Sequence, residues 1–265
     1  MQVFKVKAAA CGEPRPCLNP GVAAVAAMVL IAVPASAAVP SYVAAALADP
    51  HRASDARADT RRQAAEVVAF SEVKPGDVVI DLVPGVGYFT RIFSRIVGPQ
   101  GHVYAIWPRE YARIDGDEVS ALAAVAADPA YANVTILMEP AAALTAPAKA
   151  DLVWTSQNYH DFPDRFMGSV DMKQLDRQVL GMLKPGGRFV VIDHAAESGS
   201  GLRDTERTHR IDPLLVKDQV TSAGFRLDGE SGVLHNPADS HAKLVFDPSI
   251  RGHTDQFVLR FRAPQ

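Results

Sequence analysis

V-V-I-D-L-V-P-G-V-G-Y-F-T-R-I-F-S-R-I, residues 78–96, holds the decision about the fold. Val78 to Val83 is a short apolar run rich in β-branched residues and reads as a buried strand. Lys74-Pro75-Gly76-Asp77 is a turn signal just ahead of it. Pro84-Gly85-Val86-Gly87 breaks the run. From Tyr88 the apolar residues Phe89, Ile92, Phe93, Ile96 and Val97 take helical spacing, and Gly98-Pro99 stops the helix. The order is strand, glycine-rich turn, helix. Such a turn lets a ligand lie against bare backbone. The helix N-terminus behind it offers free N–H groups and a partial positive charge.

Two cofactor classes use this device. A dinucleotide site wants G-x-G-x-x-G, but Thr90 stands at the third glycine. The other class is S-adenosylmethionine (SAM). Asp81-Leu82-Val83-Pro84-Gly85-Val86-Gly87 resembles the D-x-G-x-G-x-G motif of class I SAM-dependent methyltransferases, with Val83 at the first glycine. Leu183-Lys184-Pro185-Gly186-Gly187, followed by Asp193, resembles a late motif of the same family. The resemblance runs from about Arg61 to the C-terminus. It implies an α/β three-layer sandwich with a seven-stranded, mostly parallel sheet and Rossmann-like class I methyltransferase topology. It also implies SAM as cofactor and direct in-line transfer of a methyl group to a small-molecule acceptor. The whole pattern is similar to a group of exported bacterial proteins called predicted methyltransferases. The competing expectation is an exported, non-catalytic ligand-binding protein that keeps the fold and has lost SAM.

Bulk properties agree with a globular chain. At 265 residues, 48% are hydrophobic and 22% charged. A net charge of −3 argues against a nucleic-acid partner. The N-terminus reads differently. Lys5, Lys7 and Arg15 precede the apolar stretch Gly21–Val33, and Ala35-Ser36-Ala37 is an A-x-A cleavage signature. Residues 1–37 are therefore expected to be a signal peptide, with an exported, periplasmic product and no membrane span after cleavage. Cys11 and Cys17 both fall inside it. Residues 38–59 read as a loosely docked, Ala-rich arm, and the methyltransferase-like domain is expected over 60–265.

The resemblance distributes the site residues. Asp81, Gly85 and Gly87 are expected around the methionine part of SAM. At the end of the second strand, Gly101–Trp107, the family has an acid for the ribose hydroxyls; here Trp107 stands there, with Glu110 three residues on. Trp107, Glu110 and Glu139, the last at the end of a third strand, are expected to face ribose and adenine. The fourth strand, Asp151–Ser156, runs into Gln157-Asn158-Tyr159-His160-Asp161-Phe162. Ligands in open α/β sheets sit beyond the strand C-termini. Asn158 is accordingly assigned to the cofactor. His160, Tyr159 and Asp161 are assigned to orienting or deprotonating the acceptor. The bland reading of this loop is a cap, with His160 or Asp161 bonding backbone.

A polar loop, 195–212, follows the fifth strand and is long enough for a lid. His194, His209 and Arg210 are expected to contact substrate; the rival reading is a solvated loop with internal salt bridges. His160, His194 and His209 come nearest to a metal set, but their spacing does not demand one, and no metal is expected. Asp212-Pro213 reads as an N-cap with a first-turn proline. Phe225–Leu234 and Asp255–Arg262 read as closing antiparallel strands.

Overall fold

Five parallel strands form where the apolar runs predict them: β1 (Val78–Leu82), β2 (His102–Pro108), β3 (Val134–Glu139), β4 (Ala150–Ser156) and β5 (Leu183–His194). β6 (Arg226–Ser231) and β7 (Gln256–Arg262) close the chain. The sheet order is β3-β2-β1-β4-β5-β7-β6, with β7 antiparallel to both neighbours. The computed structural model describes residues 38–265, and the expected signal segment lies outside the described residues.

Helices α1 (Ser41–Leu47), α2 (Ala56–Asp59) and α3 (Ala64–Phe70) precede β1. Helix α4 (Tyr88–Val97) joins β1 to β2, and α5 (Arg109–Ala112) with α6 (Gly116–Ala127) joins β2 to β3. Helix α7 (Met172–Met182) joins β4 to β5, and α8 (Thr205–Thr208) with α9 (Pro213–Ser222) joins β5 to β6. Right-handed crossovers put α4 and α6 on one face of the sheet and α7 and α9 on the other. The contacts agree, since α1 meets α4 and α7 meets α9. Between β3 and β4 only a 3-10 turn, Ala141–Ala143, stands where a helix would complete the alternation.

Aspartates start three of the longer helices. Asp115 accepts from the N–H of Glu118, Asp171 from Lys173 and Gln174, and Asp212 from Leu214. On the central strand β4, Trp154 is fully buried between Phe89 and Phe93 of α4, with ring centroids 4.7 and 5.2 Å away. The stretch 38–59 is not a loose arm. Val43 and Ala46 are buried, and the buried Arg52 donates to Asp59 at 2.8 Å and to the Leu47 carbonyl at 2.9 Å. Chain direction reverses its march across the sheet between β1 and β4, which opens a crevice beyond their carboxyl ends. No helix among the described residues is long and apolar enough to cross a membrane.

Candidate functional site

The β1 turn carries the local strain that a ligand cradle requires. Gly87 has φ +81°, and a Cβ there would meet Leu122 Cδ1 at 2.9 Å, so only glycine lets α6 close over the turn. Val83 also lies in the left-handed region, at φ +55°, although it is β-branched and buried. That backbone costs about 1–2 kcal/mol. The buried isopropyl group returns roughly 1.5–3 kcal/mol. The opposition gives a prediction: Val83→Gly shifts stability by less than about 2 kcal/mol, whereas Val79→Gly, buried in regular strand, loses the full side chain with nothing to offset it. Comparable denaturant midpoints for the two variants would contradict the strain.

Two cavities meet at this edge. One, about 170 Å³, is bounded by Asp81, Val83, Gly85, Tyr111 and Asn158. The other, about 330 Å³, is bounded by His194, Phe246, Arg251 and Gln256. They share Arg62, Phe89, Glu118, Ser156 and Gln157, so together they form one crevice. The Arg62 guanidinium lies over the Tyr88 ring at 4.7 Å, and the side chain makes no hydrogen bond among the described residues. Burial pulls its pKa down. Glu118 reaches back over the glycine turn, with Oε2 at 3.4 Å from where a Gly85 Cβ would be. Burial, then Asp115, raises the Glu118 pKa, and its carboxylate also lacks a hydrogen-bond partner. The crevice thus presents a carboxylate and a guanidinium, both half-buried, each within reach of the other's charge and neither hydrogen-bonded among the described residues. Sequence reasoning missed both. The Arg61-Arg62 pair ahead of an amphipathic helix was the available signal for one; nothing local marks Glu118.

Several expected residues keep their place at the edge. Asp81 is buried and accepts from Thr90 Oγ1 at 2.6 Å; burial pushes its pKa up to about 7, with the Thr90 bond working against that. Asn158 borders the smaller cavity but spends its side chain on protein. Its Nδ2 donates to the Val83 carbonyl at 2.9 Å, and its Oδ1 accepts from Thr155. It holds the turn rather than a ligand. His194 borders the larger cavity. Burial drives its pKa down to about 3, so the ring is neutral. A chain runs from Gln157 to Gln256 (3.0 Å), Thr254 (3.4 Å) and His194 Nδ1 (2.8 Å). With Gln256 donating to Thr254, the threonine hydroxyl donates to Nδ1 and leaves Nε2–H as a donor.

Other assignments are corrected. Trp107 is fully buried and packs on Tyr111 at 5.4 Å, so it borders neither cavity and stacks on no cofactor. Glu110 turns away and accepts from the Ala141 N–H at 2.9 Å. Glu139 ends β3 outside both cavities. Tyr159 points into the core, where its hydroxyl donates to Asp176 at 3.0 Å; burial and that carboxylate raise its pKa well above normal. It is no acceptor base. Arg210 is fully buried and pairs with Asp239 at 2.8 Å, so it is a clamp and not a substrate contact.

His160, Asp161 and His209 do come together, but behind the cavity wall. His160 Nδ1 lies 2.8 Å from Asp193 Oδ1, and its Nε2 lies 3.3 Å from His209 Nδ1 and 3.2 Å from Asp161 Oδ1. Burial disfavours charge on His160, yet Asp193 and Asp161 outweigh it and lift the pKa to about 9. His160 and Asp161 are buried, so neither meets an acceptor directly.

The strand order, the glycine turn and the crevice beyond β1 and β4 are those of the class I SAM-dependent methyltransferase fold. No family model matches the chain. Among curated proteins it is similar to the ubiquinone/menaquinone biosynthesis C-methyltransferase UbiE of Ectopseudomonas mendocina, 28% identical over 197 residues and 73% of this chain. The match takes in 65% of that relative, just under two thirds of its length. Among solved structures, a SAM-dependent methyltransferase from Aquifex aeolicus superposes with a TM-score of 0.55 at 17% identity, covering 84% of this chain and 97% of that one. The [4+2]-cyclase SpnF gives a TM-score of 0.55 at 19% identity, covering 76% and 82%. One fold therefore serves more than one reaction.

Proposed function

We propose that the protein binds SAM in the crevice beyond β1 and β4 and transfers its methyl group to a small polar or anionic acceptor. The observation that carries this is that Glu118 and Arg62, facing the glycine turn, leave their hydrogen-bonding groups without protein partners among the described residues. SAM offers what each lacks. Its ribose diol donates to a carboxylate, and its methionine carboxylate accepts from a guanidinium. Gly85 lets the ligand approach the backbone at the α4 N-terminus, whereas Gly87 borders neither cavity and gives its space to Leu122 of α6. In this reading Glu118 does the work expected of Glu110, and Tyr111 and Val83 wall the smaller cavity.

The acceptor occupies the larger cavity. Arg61, Arg62 and Arg251 border it, beside the neutral His194 and the amides of Gln157 and Gln256. With Phe89, Ile192, Leu234, Val245 and Phe246 on the same wall, the lining favours an acceptor that carries an anionic or polar group on an apolar body. Bound SAM supplies the activated methyl group. The chain's own contribution is positioning: His194 Nε2–H and Gln157 hold the acceptor atom in line, and the packed walls exclude water. His160 and Asp161 support the wall from behind.

Calorimetric titration of SAM and S-adenosylhomocysteine into the protein tests the reading. Both are expected to bind. Glu118→Ala and Arg62→Ala should each weaken binding by about tenfold or more, the loss of one charge-assisted hydrogen bond. Absence of heat in wild type would reject the proposal. Binding without transfer to any anionic acceptor would return the reading to a binding protein. Export remains part of the proposal; a periplasmic form starting at Ala38, found by N-terminal sequencing, would support it, and an intact cytosolic chain would reject it.

A further inference from the structure

We propose that His160, Asp161 and His209 hold a zinc-class divalent metal ion. Each offers one ligand atom: His160 Nε2, Asp161 Oδ1 and His209 Nδ1. The three separations are 3.2, 3.3 and 3.7 Å. Donor atoms about 2.0–2.1 Å from a tetrahedral ion stand roughly 3.3–3.4 Å apart, whereas an octahedral ion of that radius brings neighbours to about 3.0 Å. The observed spacing fits the tetrahedral case, with three protein ligands and a fourth position left open, and a two-histidine, one-carboxylate set suits zinc.

The surroundings match what a metal-binding histidine needs. Asp193 accepts from His160 Nδ1 at 2.8 Å and from the His160 N–H at 2.8 Å. It also accepts from the His194 N–H at 2.7 Å. Those bonds fix the ring and its tautomer and aim the Nε2 lone pair at His209 and Asp161. The two rings meet edge to face, 89° apart, so their ligand atoms converge without stacking. His209 holds this pose at φ +53°, a left-handed backbone that histidine tolerates better than most residues. Charge agrees as well. Two buried carboxylates, Asp161 and Asp193, flank the histidine ligands, and a dication between them offsets their charge.

The cluster lies directly behind the wall of the smaller cavity, where Tyr111 stands beside Asp161, and it is not closed to solvent. The His209 side chain is 30% exposed and packs beside Phe246, 5.1 Å away, on the rim of the larger cavity. The competing account is a proton in place of the metal, held by His160 between Asp193 and Asp161.

Elemental analysis of the untagged full chain, followed by Co²⁺ titration of the chelator-treated protein, separates the two. Wild type is expected to carry about one equivalent of zinc and to give the intense visible d–d bands of tetrahedral Co²⁺. His209→Ala and Asp161→Asn should each lose both signals, while His235→Ala, an exposed histidine outside the cluster, keeps them. The melting temperature should rise with metal in wild type and in His235→Ala but not in the two cluster variants. His209→Ala in the full chain also controls for Cys11 and Cys17. Metal in wild type no greater than in His209→Ala would overturn the proposal in favour of the shared proton. The titrations contain no SAM, so their failure and the failure of SAM binding are separate results.

Discussion

Replacing Arg210 by alanine is expected to lower stability by about 3–5 kcal/mol, read as a fall in the urea midpoint at unchanged slope. The side chain is fully buried and joins two loops. Its Nη1 donates to the Ala195 carbonyl at 3.0 Å and its Nε to the Lys243 carbonyl at 3.1 Å. Its Nη2 lies 2.8 Å from Asp239 Oδ2, itself buried. Asp239 also accepts from the N–H groups of Asp255, at 2.8 Å, and His241, at 3.0 Å. Truncation strands a carboxylate and two carbonyls away from water, and the alanine leaves a void besides. The unpaired carboxylate dominates. Arg210→Lys keeps the charge beside Asp239 but cannot also fork to the two carbonyls, so it should fall between wild type and Arg210→Ala. Arg207→Ala is the contrast. That side chain is 64% exposed, although it also touches an aspartate, and should cost under about 1 kcal/mol. Arg210 contributes to binding only through the wall it holds, since Val245, Phe246 and Arg251 sit on the second loop. Equal midpoints for Arg207→Ala and Arg210→Ala would overturn this account.

The fold was legible because its signals are local. Residues 78–97 change from β-branched run to helical period across two glycines, and no tertiary contact is needed to read that. The Asp212-Pro213 start of α9 is local in the same sense, whereas Pro185-Gly186-Gly187, which reads as a turn, lies inside β5 as an irregularity in its pairing with β4. The site was less legible because it depends on which way a side chain turns. Tyr159 and His160 are neighbours in one 3-10 turn; one points to Asp176 in the core and the other to Asp193, and composition does not say which. Trp107 ends β2 where a ligand residue is expected, yet Tyr111 from the next turn covers it, and Phe166 covers Tyr111 at 5.5 Å. Glu118 looks like any first-turn acid of a capped helix. It reaches the crevice only because α6 packs Leu122 over Gly87. Arg210 has the chemistry of an anion contact, and only its burial reveals a clamp. Residue type suggested the chemistry of the edge; long-range packing decided which residues face it.

An Asp176→Asn variant is expected to gain on wild type as pH rises, by up to roughly 4 kcal/mol across the range from about pH 4 to pH 8. Asp176 is fully buried on α7, and the Tyr159 hydroxyl donates to its two oxygens at 3.0 and 3.2 Å. One donor cannot replace the water that an ionised carboxylate loses. Burial therefore pushes the pKa up to about 7, against the opposing pull of Tyr159 and Arg177. In the unfolded chain the same group titrates near about 3.9. Between those values the native state keeps a proton that the unfolded state has released. Stability then falls as pH rises through this window, and the loss is complete above the folded pKa. Asparagine carries no such titration. Its amide donors find no ready acceptor, which costs about 1–3 kcal/mol at every pH. The variant should therefore be the weaker protein near the acid end and equal or stronger at the alkaline end. Asp81, also raised to about 7, titrates alike in both proteins and cancels in the difference. Urea denaturation of the pair along a pH series measures the crossing, and parallel curves would mean that Asp176 is ionised in the native state throughout. The strut bears on the site as well. Tyr159 immediately precedes His160, so its hydrogen bond to Asp176 anchors the segment that carries the proposed metal ligands.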